Sequence, residues 1–170
     1  GIISSSISDV YLWNNNNSES ISYSKEAYDY FAQAKDSFRL WNTNGSLACL
    51  YSNIQDWAKA DSLYSVFFSQ PIRDTSIYAE QLLNLAWNNI FKPSSDAHKT
   101  IDLFIRATGK FGVTPSIDDY CVYAYASEII GDHRTANDVI RQLENVDSSS
   151  TILKIWKYRI SKHRADYKTA

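Results

Sequence analysis

Glycine and proline are scarce, with five and three in 170 residues. Sandwiches and barrels turn often and draw on both residues, so the shortage argues against an all-β fold. No run of 18 apolar residues exists, so no membrane-spanning helix is expected. Neither sign of charge dominates. The net charge is −2 and the isoelectric point about 5.9, which leaves no global basic field to attract nucleic acid or anionic lipid. Cysteine is rare as well. Cys49 and Cys121 each sit inside an apolar helical pattern and read as buried free thiols, not a disulfide framework. No paired cysteines or Cys/His cluster points to a metal, and no cofactor is expected. The chain also lacks a charged, apolar, small-residue leader. It opens on Gly1 and is expected to be a piece of a longer chain or complex.

What is present suits long helices. Hydrophobic residues make up 44% and aromatics 14%, ample for a core. Residues 1–21 are rich in Ser and Asn and read as a loose polar leader, with Val10, Tyr11, Leu12 and Trp13 as a docking patch. Residues 22–170 read as a helical-repeat domain. Small residues mark the second helix of successive units: Ala27, Ala60, Thr100, Ala136 and Ala170. By subtraction they lie 33, 40, 36 and 34 positions apart, a unit of roughly 35 residues. Apolar stripes at helical spacing support this, such as Trp57, Ala60, Leu63, Tyr64, Phe67 and Phe68, or Ala136, Val139, Ile140, Leu143 and Val146. The intervening helices, for example around Tyr120–Ile130 and Leu82–Ile90, are apolar on several sides, as expected of helices sandwiched between neighbours.

Breaks fall between the units. Asp56 is placed to cap a helix at Trp57, and Gly131-Asp132 closes one helix and caps the next. Pro93-Ser94-Ser95-Asp96, the stretch 112–116 and Ser148-Ser149-Ser150 separate others. Units are expected at about 22–37 (partial), 41–72, 75–111 and 116–147. A fifth begins near Thr151 and is cut within its second helix at Ala170.

The run Thr100-Ile101-Asp102-Leu103-Phe104, Gly112-Val113-Thr114-Pro115-Ser116, Asp119-Tyr120, Gly131-Asp132 and Ala136 resembles the pentatricopeptide repeat. The stretch from Asn44 to Tyr64 is similar. The tetratricopeptide repeat is the competing resemblance, on Gly131-Asp132 before Ala136 and Ala165-Asp166-Tyr167 before Ala170. Both imply an all-α fold, a right-handed α-α superhelix of about four to five stacked helix pairs. The pentatricopeptide resemblance further implies binding of single-stranded RNA in organelle gene expression, in the mitochondrial matrix, with one base read per unit. The tetratricopeptide resemblance implies a scaffold for a peptide or partner subunit.

Carried over residue by residue, the first resemblance implies Ser46 as a base-reading position, with Glu80 or Gln81 in the next unit, then Val122 and Trp156. Val122 cannot hydrogen-bond and Trp156 can only stack, so a base-by-base code departs from the family pattern there. Asp74 and Asp118 occupy unit boundaries. Lys154, Lys157, Arg159, Lys162, Arg164 and Lys168 form the one basic concentration, read either as a solvated face or as a phosphate contact. His98, His133 and His163 match no catalytic motif, and no HExxH, GxSxG, Walker or GxGxxG sequence occurs, so a non-enzymatic protein is expected.

Overall fold

The computed structural model describes residues 1–168, with side chains through residue 165. Among the described residues there are nine α-helices and no strand: α1 Ile2–Trp13, α2 Asn17–Gln33, α3 Ser37–Asn53, α4 Trp57–Ser69, α5 Thr75–Phe91, α6 Ala97–Ile105, α7 Ile117–Ile129, α8 His133–Val146 and α9 Thr151–Lys168. One wider π-type turn, Arg106–Lys110, extends α6. No described helix is long and apolar enough to cross a membrane. The chain divides into two compact units, residues 1–81 and 82–170.

In the first unit α1 packs on α2, α2 on α3, and α3 on α4. The aromatic centre is Trp41, which stacks on Phe67 at 4.5 Å and donates its indole N–H to the Phe67 carbonyl at 3.2 Å. Phe67 and Phe68 in turn meet Tyr78 at the start of α5. In the second unit α6 and α8 flank α7, and α9 packs on α7 and α8. Its core gathers Ile90, Cys121, Val122, Ala126, Leu153 and Trp156. Buried residues on several sides of α7 bear out the sandwiched-helix expectation. Both cysteines are free thiols, and burial raises them to about 11 at Cys49 and about 12 at Cys121.

Four turns share one construction. Asn15, Lys35, Gln55 and Gly131 adopt positive φ of 56°, 55°, 61° and 84°. Each is followed by a residue whose N–H reaches back five positions: Asn16 to Tyr11, Asp36 to Phe31, Asp56 to Tyr51 and Asp132 to Ser127, all at 2.9 Å. This is the Schellman closure of one helix. The reaching residue is at once the N-cap of the next helix. The carboxylates of Asp36, Asp56 and Asp132 accept from the N–H groups of Arg39, Lys59 and Thr135. Closure and restart therefore occupy two residues, and successive helices are held antiparallel by the backbone itself.

Three expectations need correction. Residues 1–21 are not a loose leader; they form α1 and the start of α2. Ser8 accounts for the difference. Its hydroxyl lies 3.0 Å from that of Ser20 and 2.7 Å from that of Ser24, and Ser20 Oγ donates to the Ser8 carbonyl. Small hydroxyls that satisfy one another allow the serine-bearing sides of α1 and α2 to approach closely.

The helix pairs also do not recur at an even 35 residues. The N-caps of α2, α4, α6 and α8 are Asn16, Asp56, Asp96 and Asp132, spaced by subtraction 40, 40 and 36. Ala60, Thr100 and Ala136 stand four residues after their caps, and all are 0% exposed. The matching residue of α2 is Ser20, also 0% exposed, and not Ala27. Ala27 is equally buried about two helical turns further along, so the pattern of a small residue followed by a large apolar one placed the start too late. Finally, α9 runs unbroken from Thr151 to Lys168, so Ala165 does not open a second helix. Ser-Lys-His-Arg between Ile160 and Ala165 contains nothing to stop a helix. Ala170 lies outside the described residues.

Candidate functional site

The six residues singled out for RNA contact divide between the units. Ser46 lies exposed on α3, its hydroxyl directed at the Asn42 carbonyl at 3.4 Å. Asp74 caps α5 and accepts from the N–H groups of Ser76 and Ile77, both at 2.9 Å. Gln81 is buried against Gly45, where a Cβ would come within 2.9 Å of its Cγ and Cδ. The neighbouring Glu80 is exposed.

In the second unit Val122 is core. Trp156 is buried too, and its indole N–H donates to Asp118 at 3.0 Å. Lys157 pairs with Glu144. Arg159 lies over the rings of Phe91 and Trp156 at 5.1 and 4.8 Å. Lys154 and Lys162 are exposed, and the side chain of Lys168 lies outside the described residues. Asp118 and Trp156 are thus brought together as partners. Gln81 and Asp118 are committed to the fold, Asp74 to capping, and Lys157 to a surface ion pair. Of the six, Ser46 and Lys154 stay open to a ligand from solvent.

The most elaborate polar arrangement is one that sequence reading missed. Glu128, on the last turn of α7, has a side chain 0% exposed. Arg164 of α9 grips it with two bonds, Nε to Oε1 at 2.8 Å and Nη2 to Oε2 at 2.5 Å. His133, the first residue of α8, places Nδ1 2.7 Å from the same Oε1. Arg164 Nη2 also donates to Asn137 Oδ1 at 2.9 Å. Burial pushes the Glu128 carboxyl up, but the Arg164 bonds and charge, with His133, outweigh it and hold it below its ordinary value. His163 closes one side, its ring edge-on to Tyr125 at 6.0 Å. A cleft of about 680 Å³ opens over this cluster, walled on its apolar side by Ile129 and Ile130.

Geometry explains why the pair escaped notice. Glu128 and His133 are five apart, a spacing outside the i+3 and i+4 pairs of one helix, and the Gly131-Asp132 turn folds one onto the other. The available signal was a lone Glu inside the apolar run Ala126-Ser127-Glu128-Ile129-Ile130, since an ionised group in a core needs a partner. Both carboxylate oxygens are engaged, so the arrangement clamps α9 onto the α7–α8 turn. Among the described residues no group of three or more His, Cys, Asp or Glu side chains is placed to hold a metal.

No protein-family profile, curated protein or solved structure matches this chain.

Proposed function

We propose that the chain is a non-enzymatic helical-repeat scaffold that binds a protein partner, its pairs winding as the right-handed superhelix that both resemblances imply. The supporting observation is the outer face of α1. Ile2, Ile3, Val10 and Trp13 fall within an arc of about 100° at 100° per residue, and all four are exposed, Trp13 at 80%. An exposed tryptophan among aliphatic residues has the composition of an interaction anchor. Tyr11 turns inward instead and stacks on Tyr23 at 5.5 Å, which holds the face in place.

Single-stranded RNA binding in the mitochondrial matrix is the reading this one displaces. It retains Ser46 and Lys154 as open contacts, too few for a base-reading array. Two measurements separate the readings. Fluorescence anisotropy with single-stranded RNA at 50 and 200 mM salt (roughly the range over which phosphate contacts weaken) is expected to show no salt-sensitive binding. A photo-crosslinking residue at position 13 is expected to yield protein adducts in cells. Salt-sensitive RNA binding, or adducts made mainly of RNA, would overturn the scaffold.

A further inference from the structure

Two helices carry an apolar face that no described residue covers. One is the α1 face. The other belongs to α9. Leu153, Trp156 and Ile160 turn that helix's inner side into the core. Ile152, Ile155 and Tyr158 form a second stripe that stays exposed, Tyr158 at 68%. A helix apolar on two sides is built to lie between two neighbours, and α9 has them on one side alone. Helix spacing puts Arg159 and Lys162 within the same arc of about 120°. Asp166 shares that arc by spacing, its side chain lying outside the described residues.

Charge says what covers these faces. Residues 1–81 hold nine acidic and five basic side chains, a net −4. Residues 82–170 hold ten acidic and twelve basic, a net +2. The contrast sharpens locally. The α1–α2 stretch 1–33 carries Asp9, Glu19, Glu26 and Asp29 against Lys25, whereas α9 carries six basic residues against Asp166, two of which, Lys157 and Arg164, are paired with Glu144 and Glu128. Like faces would set like charges together, while unlike faces set opposite charges together.

We infer that this chain associates with a second copy of itself head to tail, the α1 face of one copy covering the α9 face of the next. The inference rests on the reading of α1 as a protein-docking face and names the partner. Such an interface is heterologous: each open assembly keeps one free α1 face and one free α9 face, so it grows by addition and does not stop at a dimer unless the rotation closes a ring. Trp13 is the anchor on one side, and Tyr158 with Ile155 the receiving surface on the other.

The test uses the whole chain in analytical ultracentrifugation. Wild type is expected to form oligomers that grow with concentration and shrink as salt rises. Trp13→Glu and Tyr158→Glu each block one face, and because every contact needs one α1 and one α9 face, each variant alone is expected to stay monomeric. Mixed together they form a 1:1 dimer and nothing larger. Both positions are exposed, and retained helical circular dichroism checks folding. Ile3→Glu and Ile155→Glu repeat the experiment should either first variant misfold. A wild type that stays monomeric overturns the inference. So does self-association of a single variant, which would show like faces pairing, or a mixture that fails to dimerise. Failure here with protein adducts still formed at position 13 leaves the scaffold standing and removes the second copy as its partner.

Discussion

Arg164 of α9 closes a two-point grip on the buried carboxylate of Glu128 in α7, with N–O distances of 2.8 and 2.5 Å. The grip ties the last described helix to the preceding pair. It also sets the largest electrostatic stake in the second unit, because a buried ion loses its hydration and depends on its partner.

Breaking one side of that pair should cost more than removing both. Arg164→Ala strands the Glu128 charge and is expected to destabilise by about 3 kcal/mol, the usual scale for an unpaired buried ion. Glu128→Leu with Arg164→Met removes both charges while keeping volume and is expected to be near neutral. Urea unfolding of both variants decides the point. Equal losses would mean that the pair is not buried in solution.

The same carboxylate sets a pH dependence. Its folded value is lowered below the ordinary 4.5 by Arg164 and His133, against the upward push of burial. A lowered value means the unfolded chain takes up the proton first as pH falls. The contribution is therefore fully present above about 4.5 and is lost as pH drops through the folded value. Asp36 and Asp132, lowered chiefly by the N–H groups of Arg39 and Thr135, and Asp56, lowered chiefly by the Lys59 ammonium, act in the same direction. The urea midpoint is expected to be level from pH 7 to 5 (about the range above every carboxylate here) and to decline below. Glu128→Gln should flatten part of that decline, and an unchanged slope would refute its role.

Gly45 and Gln81 offer a test of how α3 meets α5. Alanine is a better helix former than glycine by roughly 1 kcal/mol, so Gly45→Ala alone would ordinarily stabilise. Here the new Cβ meets Gln81 at 2.9 Å. Gly45→Ala is expected to destabilise in the wild type and to stabilise in a Gln81→Ala background. Thermal melts of the four proteins in this cycle report the sign change, and its absence would show that Gln81 swings clear.

The turn at Gln55 can be improved. Its φ of 61° strains a side chain that glycine lacks, at a cost of about 1 kcal/mol for a residue with a Cβ. Gln55→Gly is expected to raise the melting temperature by a few degrees, about what 0.5–1 kcal/mol produces in a chain of this size. Gly131→Ala, the reverse change at an equivalent turn, should lower it. Movement of both in one direction would contradict the shared turn geometry.

How much of this was legible depends on the physics behind each feature. Asp56, Asp132 and the break at 93–96 were readable because a cap or a proline acts on its own few residues. The turns at Lys35 and Gln55 were not, since nothing in those side chains advertises positive φ; at Asn15, a residue type that does favour it, the signal was lost within the run Asn14 to Asn17. The serine contact between α1 and α2 was hidden for a related reason. A hydroxyl in isolation reads as solvent-seeking, and only a second hydroxyl across the helix pair makes it a core group.

The sequence by itself determined that this protein is helical, where most helices stop, and which stripes of Ala, Leu, Trp and Phe turn inward. Those are properties of neighbours within one or two turns, and local propensity and periodicity carry them. Tertiary structure alone decided the burial of Ser8, Ser20 and Gln81, and the engagement of Asp118 by Trp156 and of Glu128 by Arg164, pairs 38 and 36 residues apart. At those separations the chain must first fold before one side chain can supply what the other lacks.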